Sequence, residues 1–400
     1  MTTVNVHRPD RHPARALGPT TRLAIHADAC IPARFPELSC RDCMDACPTG
    51  ALVATSKGPE LAVGCVDCGR CVVACPTEAL SVPGFAITPT TSGMIAIDCW
   101  RVPAKDSPSG AVRVPCLGGL STATLAELTA EADGRPVALL DRGFCARCPA
   151  GGREHPDTHP AAPVIDEVRR LLEACGVAPT DGPRLIAMPL PAARMVEDLG
   201  EPLLESRVSR RALFTGQALR TSQPAPAPHA TPPAQNAGLG RQRLLAALQR
   251  LSAAERPLPA RLFPSLTANH DCADHRVCAS ACPTGALTGY ADDAARGLRF
   301  DAAACIACDL CTRLCPEQAL KLDGSGETTT DRAPKRLTRH TTRTCPECGA
   351  EHSNPEPVCP ACRRDRDFAR SAFLAFSRQT NTPEPEGRKT NHRSPITNNQ

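Results

Sequence analysis

Aromatic side chains are scarce in this 400-residue chain, with one Trp, one Tyr and nine Phe, 3% in all. That scarcity, together with 41 prolines, excludes one large close-packed core and points to several small units joined by loose segments. Long apolar runs are missing as well. No stretch reaches the roughly 18 residues of a membrane span, and the start, MTTVNVHRPDRHPARALGPT, lacks the apolar segment of a secretory signal. Charge of one sign does not dominate: the formal net charge is +4 and the basic residues are dispersed, which leaves nucleic-acid binding without a footing. There is no G-x-G-x-x-G opening a helix, no Walker loop and no nucleophile elbow, so a built-in flavin or nucleotide site is not expected. The expectation is a soluble, cytoplasmic, reduced protein. The string SRRALF, Ser209 to Phe214, has the two arginines of an export signal but sits mid-chain before polar, proline-rich sequence, and it reads as an ordinary charged helix.

What the chain does have is cysteine, 24 of them, and their spacing chooses between disulfides and metal ligands. Disulfide scaffolds are usually short secreted chains. Here the cysteines step by three and end in Cys-Pro, which is a ligand pattern. The pattern is repeated. CPTGAL occurs at Cys47–Leu52 and again at Cys282–Leu287. Each copy is followed by a three-cysteine run, CVDCGRCVVACPTEAL from Cys65 and CIACDLCTRLCPEQAL from Cys305. A duplicated module accounts for this.

These runs resemble closely the bacterial two-cluster (4Fe-4S dicluster, polyferredoxin-type) ferredoxins, which write each half as C-x2-C-x2-C-x3-C-P and lend the fourth cysteine of one half to the cluster of the other. The resemblance implies four cubane-type centres. Cys30, Cys40, Cys43 and Cys75 would hold the first; Glu37 stands where the family has its first cysteine, and Cys30, aligned with Cys272, takes the role across a loop seven residues longer. Cys65, Cys68, Cys71 and Cys47 would hold the second. The third set is Cys272, His275, Cys278 and Cys315, with histidine in a cysteine slot. Either a [3Fe-4S] cluster results or imidazole binds the fourth iron. Cys305, Cys308, Cys311 and Cys282 would hold the fourth. Zinc also accepts four thiolates, but its ligands usually come as two separated pairs.

Between the modules, MIAID, AVRV, PVALL and RLIAM read as buried strands, with TATLAELTAEA and APVIDEVRRLLEAC as helices, a small parallel α/β sheet. Cys99, Cys116, Cys145 and Cys148 fall at strand carboxyl ends, the edge where such sheets assemble sites. They are expected to hold a [2Fe-2S] cluster or another metal; a Cys145/Cys148 redox dithiol and plain buried thiols are the alternatives. Cys175 is expected in the core. VPCLGGL and DRGFCARCPAGG resemble faintly the iron-sulfur delta subunit of methyl-viologen-reducing hydrogenases, which implies an electron relay. Near the end, Cys345 and Cys348 precede Cys359 and Cys362 as two C-x-x-C pairs, a zinc ribbon by spacing. A rubredoxin-like iron site is the runner-up, disfavoured because no aromatic residue precedes Phe368 in the ribbon.

The fold class expected is α+β. A disordered tail (1–20) leads into ferredoxin module 1 (21–92), the α/β domain (93–205), and a helix with a Pro/Ala-rich linker (206–240). Module 2 (241–325), a linker (326–343), the zinc ribbon with a helix (344–377) and a disordered tail (378–400) follow. The function implied is one-electron transfer through about four [4Fe-4S] or [3Fe-4S] clusters, with zinc, to redox-enzyme subunits of the formate dehydrogenase, hydrogenase or nitrate reductase type. On that reading the chain is an electron carrier or an electron-transfer subunit of an oxidoreductase complex. A thiol/disulfide reductase centred on Cys145 and Cys148, and a redox-sensing or assembly adaptor, are the rival readings.

Overall fold

In a computed structural model, residues 15–17, 23–55, 57–82, 93–151, 158–194, 238–252, 256–292, 295–324, 333–352 and 356–379 are described. The SRRALF string, most of the Pro/Ala-rich linker and the residues beyond 379 lie outside them. In the first repeat, strand Ala24–Ile25 pairs antiparallel with Leu80–Ser81, and the hairpin Leu52–Thr55 with Gly58–Leu61 stands between them. The second repeat closes the same way, Ser265–Ala268 running antiparallel to Leu320–Asp323. Pairing the first strand with the last brings the closing Cys-Pro of each repeat back beside its opening cysteine. The intervening helices, Asp42–Asp45, Arg70–Ala74, Val277–Ala281 and Leu310–Arg313, are four or five residues long. Helices that short cannot hold themselves in water. Sulfur supplies much of what holds them: Cys30, Cys43 and Cys71 are core residues beside Ile25, Leu52 and Leu80.

The middle region forms a four-stranded, wholly parallel sheet in the order Val112–Val114, Ile95–Cys99, Val137–Asp141, Arg184–Ala187. The strands and the helices Thr122–Ala132 and Ala162–Ala174 fall where the apolar pattern places them. Ile95, Ile97, Val137 and Leu139 are fully buried, as strands covered on both faces must be. Ser121 caps the first helix, its Oγ accepting from Thr124 N at 3.1 Å. Cys175 is wholly buried, as expected. Helix Leu239–Leu251, which the sequence reading divides between the linker and module 2, contributes Leu245, Ala247 and Leu248 to this α/β core, and its Arg243 pairs with Glu127.

The described residues within 291–297 and 339–379 form a second compact unit. In it a two-residue hairpin, Arg343–Thr344 with Glu351–His352, precedes helix Pro360–Gln379. The fold is thus mixed, with a parallel sheet and a cysteine cluster near its end. No helix among the described residues is long and apolar enough to cross a membrane.

Candidate metal centres

Two cavities open side by side in the first module. Cys30, Cys40, Cys43 and Cys75 line one; Cys47, Cys65, Cys68 and Cys71 line the other. The fourth cysteine of each half faces the other half's cavity, the exchange that the spacing implies. Cys30 reaches its place across the longer loop, which forms the helix Ile31–Arg34. Gly58, at φ +101°, keeps the opposite wall clear: a Cβ there would stand 3.2 Å from the Cys30 sulfur. Cys43 and Cys71 share one core, so the two cavities adjoin.

In the C-x-x-C-x-x-C loops, the residues flanking the middle ligand adopt left-handed backbone: Asp67 (φ 50°) and Gly69 (φ 73°) about Cys68, Ala307 (φ 53°) and Asp309 (φ 57°) about Cys308. Such alternation turns successive N–H groups toward one point, a nest for an anion. Asp274 (φ 54°) and Arg276 (φ 61°) repeat it about His275. An arginine in this region is strained, and Asp274 holds it, Arg276 Nε donating to Oδ1 at 3.1 Å. The loop about His275 has the backbone of the other two ligand loops, with a histidine at the middle position. His275 Nδ1 lies 3.1 Å from Glu317 Oε1, and Cys272, Cys278 and Cys315 interact electrostatically with one another. Cys282, Cys305, Cys308 and Cys311 group likewise.

Burial governs the thiols. It pushes Cys30, Cys278 and Cys308 up to about 11 and Cys43 and Cys68 up to about 12. Without a cation these five are neutral thiols, and loading them with metal must expel their protons.

The middle domain gathers its four cysteines as the topology predicts. Cys99, Cys116, Cys145 and Cys148 line one cavity of about 450 Å³. Gly151 is obligatory in its wall, since a Cβ there would lie 1.9 Å from Cys145 O. Burial pushes Cys99 up to about 11, Cys116 up to about 12 and Cys145 higher still. Two residues absent from the sequence reading join the site. Asp141, Cys145 and His159 offer ligand atoms within 4.8 Å of one another, and Cys145 Sγ stands 3.4 Å from His159 Nε2. His159 sits in the polar string HPDTHPAAP, where no periodicity marks it; only its place just before a buried helix could have drawn notice.

The C-terminal set is built differently. Cys345, Cys348, Cys359 and Cys362 bring all four sulfurs within 4.8 Å of one another, with Cys348 and Cys359 3.6 Å apart. Thiolates on one zinc stand about 3.8 Å apart, from Zn–S bonds of about 2.3 Å in a tetrahedron. Backbone N–H groups of Cys359 and Cys348 pull Cys345 down to about 6. Among the described residues no other four cysteines gather that tightly. The C-terminal four alone stand close enough to share a single ion, whereas the cysteines of the other sets are spread around their cavities.

The cysteine sets of the first module and of the middle domain are also in contact. Cys68, Cys116 and Ala150 form one buried cluster with Val66 and Cys148 against it. Arg101 donates to Val66 O at 3.3 Å, and Arg70 to Ala150 O at 3.3 Å. Gly119 lies so near that a Cβ would fall 2.4 Å from Cys68 O. Between the modules, Arg34 donates to Ala281 O at 3.4 Å and Arg313 to Ser39 O at 2.9 Å, each acceptor preceding a cysteine of the sets above. No curated protein matches this chain. Residues 38–80, which hold seven of the eight cysteines of the first module, match the family model of the 4Fe-4S dicluster domain, so the chain carries a ferredoxin-type iron-sulfur domain.

Proposed function

We propose that the chain is a multi-cluster electron carrier in which both modules, and not only the matched residues, hold clusters. Electrons would pass between redox-enzyme subunits of the formate dehydrogenase, hydrogenase or nitrate reductase type, in the cytoplasm. The observation that carries this is contiguity: one set of buried cysteines touches the next from Cys43 and Cys71 to Cys68 and Cys116. Structural clusters have no need of such adjacency; a path for electrons does. The ligands would be Cys30, Cys40, Cys43 and Cys75; Cys47, Cys65, Cys68 and Cys71; Cys272, Cys278 and Cys315 with His275; and Cys282, Cys305, Cys308 and Cys311. A further centre would sit at Cys99, Cys116, Cys145 and Cys148, and zinc at the C-terminal four.

At His275 the carboxylate of Glu317 favours the ligand reading over a three-iron cluster. Metal-bound histidines usually donate their other ring N–H to a carboxylate, and Nδ1 against Glu317 leaves Nε2 for iron. Cys68→Ser and Cys308→Ser each delete one of four ligands, so each variant is expected to lose one low-potential [4Fe-4S] signal in electron paramagnetic resonance. Retention of all iron in both would reject the ligand sets.

A further inference from the structure

The start of one helix lies against ligand turns of both modules. Helix Leu239–Leu251 has Gly238 as its N-cap. Its Gly240 N–H donates to Glu78 Oε1 at 2.9 Å, and Glu78 ends the turn Cys75-Pro76-Thr77-Glu78 of the first module. Gly238, at φ +84°, passes so near the second module that a Cβ there would fall 2.9 Å from Thr284 Cγ2 and 3.8 Å from Ile306 Cγ2. Thr284 belongs to the turn Cys282-Pro283-Thr284, and Ile306 follows Cys305. Arg241 binds the second module again, donating to the carbonyls of Ala303 at 2.7 Å and Ala302 at 2.9 Å, just before Cys305. A carboxylate is stabilised at a helix N-terminus, so Glu78 ties this helix to one module while Arg241 ties it to the other.

Reciprocal hydrogen bonds join the same two faces. Arg34 of the first module donates to the carbonyl of Ala281, the residue before Cys282, at 3.4 Å. Arg313 of the second donates to the carbonyl of Ser39, the residue before Cys40, at 2.9 Å. The donors belong to ligand segments as well, Arg34 in the helix that follows Cys30 and Arg313 in the helix that holds Cys311. On the first module every contact neighbours Cys30, Cys40 or Cys75. On the second, Thr284, Ile306 and Ala303 all neighbour Cys282 or Cys305, so the set of Cys282, Cys305, Cys308 and Cys311 is the one that faces across. Within the second module, Cys278 packs in one core with Cys282, Cys305 and Cys311.

We propose that the centre held by Cys30, Cys40, Cys43 and Cys75 exchanges single electrons directly with the centre held by Cys282, Cys305, Cys308 and Cys311, and that Arg34 and Arg313 are the positioning residues of this junction. This rests on the cluster reading above. One electron leaves one centre, which is oxidised, and enters the other, which is reduced. No bond forms or breaks, and no proton moves. Neither arginine is a ligand; each holds the carbonyl beside a ligand cysteine of the other module and so fixes the gap that the electron crosses. The modules are then one path, running from Cys116 past Cys68, Cys40 and Cys282 to Cys278, with the α/β domain at one end and the His275 loop at the other.

The test is electron paramagnetic resonance of the full chain, fully reduced under anaerobic conditions, with iron counted in every sample. Reduced clusters each carry an unpaired electron, so near neighbours split or broaden one another's signals. In Cys68→Ser the centre at Cys40 loses its neighbour within the module, and the coupling left on its signal should come from the second module. Adding Cys308→Ser should abolish that coupling, and adding Cys278→Ser should not. Adding Arg34→Ala with Arg313→Ala should weaken it at unchanged iron content, while Arg313→Lys, which keeps a donor for the Ser39 carbonyl, should retain most of it. Arg313 is exposed, so Arg313→Ala alone is expected to fold and to weaken the coupling in part. Coupling that survives Cys308→Ser, or that is absent although both centres hold iron, overturns the junction. Coupling indifferent to all the arginine substitutions overturns their positioning role. Should Cys308→Ser remove no iron, the cluster reading of the second module fails instead, a result distinct from two loaded centres that do not couple.

Discussion

Single residues decide whether these sites can close. Gly119 has no room for a methyl group, because the Cys68 carbonyl stands where it would go, and that carbonyl belongs to a loop whose shape the nest requires. Gly119→Ala should therefore lower the stability of the loaded protein by about 1–3 kcal/mol and broaden the signal of the neighbouring cluster, as denaturation and electron paramagnetic resonance would show. The buried thiols make a second prediction. Cys43 and Cys68 are raised from the ordinary thiol value of 9.0 to about 12, so the folded apo-protein holds protons that the unfolded chain releases. Their contribution to stability is complete below about 9 and is lost as pH rises from 9 through about 12. Circular dichroism of metal-free protein should then show unfolding across that alkaline window, with the loaded protein unaffected. Equal alkaline sensitivity of both forms would contradict it.

At the scale of elements, the strands and helices of the α/β domain were legible because each segment is long enough to show its period. Ile95–Cys99 and Val137–Asp141 are continuous apolar runs, and Ala162–Ala174 buries Ile165, Val168, Leu171 and Leu172 at helical spacing. Helix Leu239–Leu251 follows a low-complexity stretch, and nothing local tells which body its apolar face will meet. The structure places it on the α/β core, where Leu248 is fully buried. Leu248→Ala should cost about 2–5 kcal/mol, read as early melting of the α/β domain. The cysteine sets were legible for another reason: ligand spacing is local, and chain topology brings the fourth member. His159 and Asp141 were not, since their role depends on a loop meeting a strand end. In the C-terminal unit, Cys345→Ser should release one zinc and unfold the hairpin while leaving every paramagnetic signal intact, because zinc has no accessible redox couple. Loss of an iron signal there would make it a rubredoxin-like site.

Across the molecule, the α/β domain rests on an aliphatic core, while the two ferredoxin-like modules, poor in aromatic residues, pack around their cysteines, where metal binding would add folding energy that apolar burial does not supply. The central claim is therefore one of inventory. Iron, acid-labile sulfide and zinc should be counted per chain on anaerobically purified protein. The account predicts roughly fourteen to sixteen irons from the two modules, a further two to four from the middle domain, and one zinc. About eight irons, the content of the matched dicluster domain alone, would contradict it.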